Sequence, residues 1–551
     1  MVSLWLTPMS TSMSTPDDIS GGASADVSGS APAEQQTTDA EEESVKHTVI
    51  LVILAFALTF VFRTYVVEPF VIPTGSMAPT LLGAHVRLHG PETGHDWAVA
   101  PRDYLDSAQN RPAPLQADRS RNASALTPTD PMSRRALSRR DVPLRAGDRI
   151  LVQKYIYFLR QPRRWDIVVF KNPERPGENF IKRLVGLPHE ELRILDGDIF
   201  TRERRAPGEV ADNWRIQRKP VRVQRAVWVP IFSTEHAPLD PEGRPLEDWR
   251  GPWQGEGWID DGRILRTDAA GAFRLEWDKG DEMSSKRWTL TDWTYYNDTP
   301  SLRLERARQP TSDLRMRAAI RPEGELTFSA TIEARRHQFQ AQLRDGAAMV
   351  RMRPVPNIEN PDPAWTILDS VPFADLRAGS FHDVEFWHAD QSLQLWIDGE
   401  RIAGGAYEWD AEERYRHIGG LDHDEESPAF DRFEPMNMRP TRLWWDIAGD
   451  EATLARVGVD RDLSHQAAPG RSVFRLGPDH FFVLGDNTAA SSDSRVWSRV
   501  DPWVAGRIDE TPGVVHRRLM VGKAFFVYFP GPSREARGLP VPDFGRMRFI
   551  R

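Results

Sequence analysis

A serine at position 76 lies in Pro73-Thr74-Gly75-Ser76-Met77. Prolines at 69, 73 and 79 fix φ and remove backbone donors, so neither a long helix nor a central strand runs through this loop. A hydroxyl there is chemically idle unless a base takes its proton. The candidate base is Lys182, in Phe180-Ile181-Lys182-Arg183-Leu184-Val185, where it breaks an apolar run. A lysine is ordinarily protonated, with a reference pKa of ~10.4, and becomes a base near neutral pH only where burial disfavours its charge. Alternate positions of a strand share a face, so Phe180 and Leu184 flank Lys182 and supply that burial. The chemistry is nucleophilic: an uncharged amine takes the serine proton, the oxygen attacks a carbonyl carbon, and an acyl intermediate follows.

Both groups need elements to carry them. Short β-branched runs at 149–152, 166–170, 180–185 and 192–195, broken by Pro, Gly and Asp, predict an antiparallel β domain, with Asp196-Gly197 as a turn into Ile199 and Phe200. Further strands are expected at 481–484 and 524–529. Ahead of the serine loop, 48–62 carries no charge, and the run extended to 67 has about the 20 residues a membrane-spanning helix needs. Lys46 and His47 on one side balance Arg63 on the other, so charge does not set its orientation.

Composition narrows the function classes. Residues 1–45 hold eight acids and no Lys or Arg, with few large apolar side chains, which predicts a disordered acidic tail. The remaining 72 acids and 71 bases nearly cancel, so no concentrated basic face points to nucleic acid. Cysteine is absent, which excludes a disulfide scaffold, a thiolate metal site and a cysteine nucleophile. No cofactor or metal is expected: His85, His89 and His95 lack a completing ligand set and read as surface residues, and Asp422 to Glu426 reads as a solvated turn. The stretch 84–146 is polar and Pro-rich and reads as a long loop or loose insertion.

The interval 201–470 has its own pattern. Ala330 and Ile332, then Phe339, Ala341 and Leu343, Val350 and Met352, Val384 and Phe386, and Leu393, Leu395 and Ile397 alternate with polar residues, as strands with one buried face do. Asp398-Gly399 marks a hairpin. The segment 395–402 resembles one in concanavalin-like and laminin-G-like domains, and a jelly-roll-like β-sandwich is expected over about 270–460. Such a face binds glycans in some proteins, and Trp288, Trp293, Trp387, Trp396, Trp444 and Trp445 are available, but aromatic residues of a sandwich are more often its core.

The serine loop, the lysine strand, Gly485-Asp486-Asn487 and Ser491-Ser492-Asp493-Ser494-Arg495 together resemble type I signal peptidases (leader peptidases) over roughly 46–83, 147–200 and 472–529. The resemblance implies a membrane-anchored endopeptidase with Ser76 as nucleophile and Lys182 as base. It also implies the Ser76 N–H and Thr74 hydroxyl as oxyanion donors, Ser491 orienting Lys182, an Asp493–Arg495 pair behind the site, and Asp486 paired with Arg183. Phe70, Val71, Ile72 and Met77 would line pockets for small residues of a signal peptide and rest against lipid. His189-Glu190 departs from the family's usual Gly-Asp after Leu187-Pro188.

The predicted organisation is mainly β: a tail over 1–45, a single transmembrane helix over 46–67, and a first catalytic part over 68–200. An inserted β domain follows over 201–470, and a second catalytic part over 471–551. The tail would be cytoplasmic and the body extracytoplasmic, with signal peptides of secreted precursors and membrane lipid as partners. Two other readings compete. One is a membrane-tethered protein whose insert binds a glycan or a partner protein. The other is a self-cleaving serine/lysine regulator, for which no DNA-binding domain is visible.

Overall fold

The computed structural model describes residues 46–58, 66–101, 129–137, 144–203, 213–278, 288–297, 308–418, 440–467, 473–532 and 540–551. Two units, 1–63 and 64–551, divide the chain. In the first, 46–58 is helical and every residue is exposed. Among the described residues no helix is long and apolar enough to cross a membrane. The acidic tail and residues 59–65 of the expected span lie outside the described residues, as does the acidic stretch 422–426. Val67, where the anchor was expected to end, already opens a strand.

In the second unit an antiparallel sheet carries the serine loop and the lysine. Its strands run in the order Val67–Val71, Arg149–Gln153, Met520–Phe529, Ile167–Asn172, Arg175–Gly186, His480–Leu484 and Val515–His516. The three chain segments that resemble one family are thus woven into one sheet, with Met520–Phe529 lying between Arg149–Gln153 and Ile167–Asn172. Alternation sends the two faces of Arg175–Gly186 into different cores. Phe180 and Leu184 join Val168, Phe170, Phe481 and Trp497, whereas Ile181 joins Ile72, Met77, Ile150 and Val152.

Glu190–Leu195 and Asp198–Glu203 form the expected hairpin, with Asp196 at φ +51° and Gly197 at φ +88° in the two left-handed turn positions. His189 also adopts positive φ, +65°, the left-handed region that glycine enters without steric cost. Glu190 steadies the turn by accepting from the Leu187 N–H at 2.8 Å.

The insert is a sandwich of two antiparallel sheets. One runs from Trp258–Asp260 through Ile264–Thr267, Ala452–Arg461, Leu314–Pro322, His382–Ala389 and Ser392–Ile397 to Glu400–Ala406. The other runs from Trp253–Gln254 through Gly271–Trp277, Arg442–Gly449, Leu326–Ala334, His337–Arg344 and Ala347–Pro354 to Thr366–Pro372. The alternating residues of the sequence pattern, Ala330 through Ile397, all lie in the core between them. Full burial of each large apolar side chain contributes about 1.5–3 kcal/mol. Strands of the sandwich begin at Val229–Ser233 rather than near 270, because the early ones are short and interrupted by Pro and Gly, which hides their period. Of the six tryptophans named above, Trp288 and Trp445 lie in the core between the sheets, Trp387 and Trp396 are buried with Trp228 in a separate cluster, Trp444 is buried outside both, and Trp293 is half-buried.

Buried ion pairs join the sandwich to the hairpin at Asp196. Arg335 contacts Asp196 at 2.7 Å and Asp313 at 2.5 Å, and Arg414 contacts Asp196 and Asp198 at 2.8 Å. Lys219 contacts Asp390 at 2.5 Å and Asp462 at 2.9 Å. Asp198, Asp313 and Asp390 carry carboxylates close enough to hold a cation, and these basic side chains neutralise them in part. Removing one member would leave an uncompensated charge in a dry interior, so the network ties the sandwich to the rest of this unit.

Two expectations over 84–146 need correction. His85–His89, Asp96–Val99 and Leu144–Arg145 form a small sheet, with Val86, Leu88, Trp97 and Val99 packed together, where a loop was expected. His85 is not a surface residue: it is buried, its Nδ1 lies 2.8 Å from the Gly83 carbonyl oxygen, and burial lowers its pKa to about 4.

Candidate active site

Gly75–Met77 forms a single 3-10 turn that presents Ser76 inward. Its Oγ lies 2.7 Å from Nζ of Lys182. Lys182 is 3% exposed and its amine sits 5.1 Å from the centre of the Phe180 ring. Burial disfavours the ammonium and outweighs the carboxylates of Asp493 and Asp486, so the pKa falls to about 8. A neutral amine at that distance accepts the serine proton; a protonated one can only donate to the oxygen.

The turn packs closely against its neighbours. A Cβ on Gly485 would fall 2.4 Å from the Ser76 carbonyl oxygen and 2.2 Å from Ser491 Oγ, so only glycine lets these chains meet. Asn487 then binds two successive carbonyls of the turn: its backbone N–H donates to Ser76 O and its Nδ2 to Gly75 O, both at 3.0 Å.

Behind the lysine, Arg183 donates from Nε and Nη2 to the two oxygens of Asp486 at 2.8 and 2.7 Å, with both side chains fully buried. Burial would raise the Asp486 carboxyl, but Arg183 overrides it and holds the group below the usual range. Thr80, four residues past the serine, donates to the same carboxylate. Asp486→Asn would leave Arg183 buried without its counter-charge, and urea unfolding is expected to show a loss of about 3–5 kcal/mol. Asp493 receives Arg495 through both oxygens, at 2.8 and 2.7 Å, and the Gly485 N–H at 3.0 Å. Burial alone would raise its carboxyl as well, and Arg495 keeps it low.

The remaining residues named from sequence fall in different places. Among the described residues Ser491 Oγ is buried and has no hydrogen-bond partner, so no bond joins it to Lys182. Thr74 is exposed at the start of the turn. Val71 is exposed and Phe70 half-buried, so both offer surface to a ligand. Ile72 and Met77 are 2% and 0% exposed in the core behind the turn, and in this conformation neither lines an open pocket.

Three residues at this site had no role assigned from sequence. Asn487 stood within the Gly-Asp-Asn motif, which is a usable signal. Tyr296 and Asn297 had none. They come from the insert, where a Cβ on Gly75 would meet the Tyr296 ring at 2.1 Å, and where Asn297 pairs with the Asn487 amide.

An antiparallel β body that holds a serine hydroxyl against a desolvated lysine presents the groups of a serine/lysine hydrolase. The family model described as signal peptidase, peptidase S26, matches residues 137–236 and 392–529, and over those stretches the chain is similar to that family. Lys182 and the 485–495 motif fall inside the matched stretches, and Ser76 falls outside them. Curated relatives agree. Signal peptidase I of Pseudomonas aeruginosa is 31% identical over 117 residues, 21% of this chain and 37% of that protein. Probable signal peptidase I-2 of Synechocystis is 34% identical over 93 residues, 16% and 40% respectively, and signal peptidase I of Rickettsia typhi 24% over 163 residues, 30% and 46%. The chain spans less than half the length of these relatives. Among solved structures, a carbohydrate binding module from Bacillus subtilis aligns with 38% of this chain and 95% of its own at 7% identity, with a TM-score of 0.21. A likeness that slight carries no argument about the insert.

Proposed function

We propose that this chain is a membrane-anchored signal peptidase that cleaves N-terminal signal peptides from secreted precursors through Ser76 and Lys182. The observation that carries the reading is the 2.7 Å contact between a serine hydroxyl and a lysine amine that burial brings to a pKa of about 8. Neutral Lys182 takes the Ser76 proton as Oγ bonds to the scissile carbonyl carbon, and the Ser76 N–H with the Thr74 hydroxyl receives the oxyanion. The lysine ammonium then protonates the departing amine, leaving an ester on Ser76. Lys182 next deprotonates a water that attacks the ester, and the serine recovers its proton.

The precursor lies extended along the rim between Phe70 and the serine turn, with small side chains at the two positions that enter pockets. The uncharged run 48–62 is the anchor, with the tail on the cytoplasmic side and the body outside. The test is incubation of the full chain in lipid vesicles with a secretory precursor. Mass spectrometry of the released peptide is expected to show one cut after a small-x-small sequence. An uncut precursor, under conditions where the chain is folded, sinks the reading.

A further inference from the structure

Tyr296 and Asn297 lie outside both stretches that the family model matches, yet they reach the serine turn. The segment that carries them is fixed at both ends. At its start Trp288 is buried in the sandwich core, the Asp292 N–H donates to Gln309 O at 2.9 Å, and the Gln309 N–H donates back to Asp292 Oδ1 at 2.9 Å. At its end the Tyr296 hydroxyl donates to Ala84 O at 3.0 Å and its carbonyl accepts from the Ala100 N–H at 2.7 Å.

Asn297 completes the hydrogen bonding of Asn487. The Asn487 Nδ2 has two hydrogens, one for Gly75 O and one for Asn297 Oδ1 at 2.8 Å, and its Oδ1 accepts from Asn297 Nδ2 at 2.6 Å. Both residues are 1% exposed, so in the folded protein each amide depends on the other rather than on solvent for these hydrogen bonds. The orientation of the side chain that holds Gly75 is therefore set from the insert. Tyr296 closes the other side, since its ring occupies the space beside Gly75.

We propose that the insert supplies positioning residues for the reaction: Asn297, acting through Asn487, and Tyr296, acting against Gly75, fix the serine turn relative to Lys182. The proposal rests on the serine/lysine reading above and gives the sandwich a role in it. Displacing a reacting atom by about 1 Å costs on the order of 100-fold in rate. Asn297→Ala, in the full chain, is expected to slow single-turnover cleavage of a precursor about 10- to 100-fold at full amplitude, with KM within about twofold. Hydrogen exchange at 75–78 and 485–488 is expected to accelerate while the sandwich strands keep their protection.

An unchanged rate, or a reduced amplitude at the original rate, overturns the proposal, because the second is what partial unfolding alone produces. If the unsubstituted chain cuts no precursor, the peptidase reading fails and hydrogen exchange alone decides: faster exchange in the turn keeps the clamp, and unchanged exchange ends it. Should Asn297→Ala not fold, Tyr296→Leu leaves the amide pair intact and removes the ring from Gly75. The same slowing at full amplitude is then expected, and an unchanged rate counts against the proposal.

Discussion

Ser76→Ala is expected to reduce precursor cleavage by on the order of 10⁴-fold or more, and Lys182→Ala to match it. In the proposed mechanism the two side chains, with Oγ and Nζ 2.7 Å apart, act as one unit, so the double variant is expected to be no worse than either single one. Lys182→Arg is expected to be equally inactive, because a guanidinium stays charged at every accessible pH and cannot take a proton. All four are read by cleavage of a precursor in vesicles, with circular dichroism to show that the fold is kept. Processing retained in either single variant removes the pair from the reaction. The likeness to the family model would survive that result, since Ser76 lies outside the matched stretches.

Ser76 and Lys182 were legible because a hydroxyl in a Pro/Gly loop and a cation in an apolar strand are each anomalous, and their order matched a family's. Strands were legible wherever alternation persisted, as from Ala330 to Ile397, all of whose patterned residues reach the sandwich core. The pattern failed where geometry departs from a plain strand. Around the 3-10 turn at Gly75–Met77 the two-residue period breaks, so sequence did not distinguish exposed Val71 from buried Ile72 and Met77. His85 was misplaced for a related reason: a polar stretch concealed a small sheet whose core, among the described residues, holds four buried apolar side chains. The link from Asn297 to Asn487 spans 190 positions and joins two neutral amides, which leave no periodicity or charge pattern to read. The ion pairs between Asp196 and the sandwich were equally hidden, since each member alone reads as a solvated surface charge.

Cleavage is expected to rise with pH and level off above about 8, because in the proposed mechanism only the uncharged fraction of Lys182 acts as a base. Between pH 6 and 8 that fraction, and with it kcat/KM, should grow about 50-fold. The same burial acts on stability. In the unfolded chain the amine titrates near ~10.4, so between the two values the unfolded state binds the proton more tightly, and stability rises with pH across that window. Below about 8 the folded protein carries the full cost of a buried ammonium, on the order of 3 kcal/mol at 1.36 kcal/mol per pKa unit. Lys182→Met removes that cost while keeping the volume of the side chain. It is expected to be inactive yet more stable at pH 7 by on the order of 2–3 kcal/mol, with the gain shrinking as the pH is raised to 10. Urea unfolding at the two pH values reads the difference directly. A methionine variant no more stable than the parent at pH 7 would mean that the lysine is neutral or solvated there, and the activity profile would then have to come from a different group.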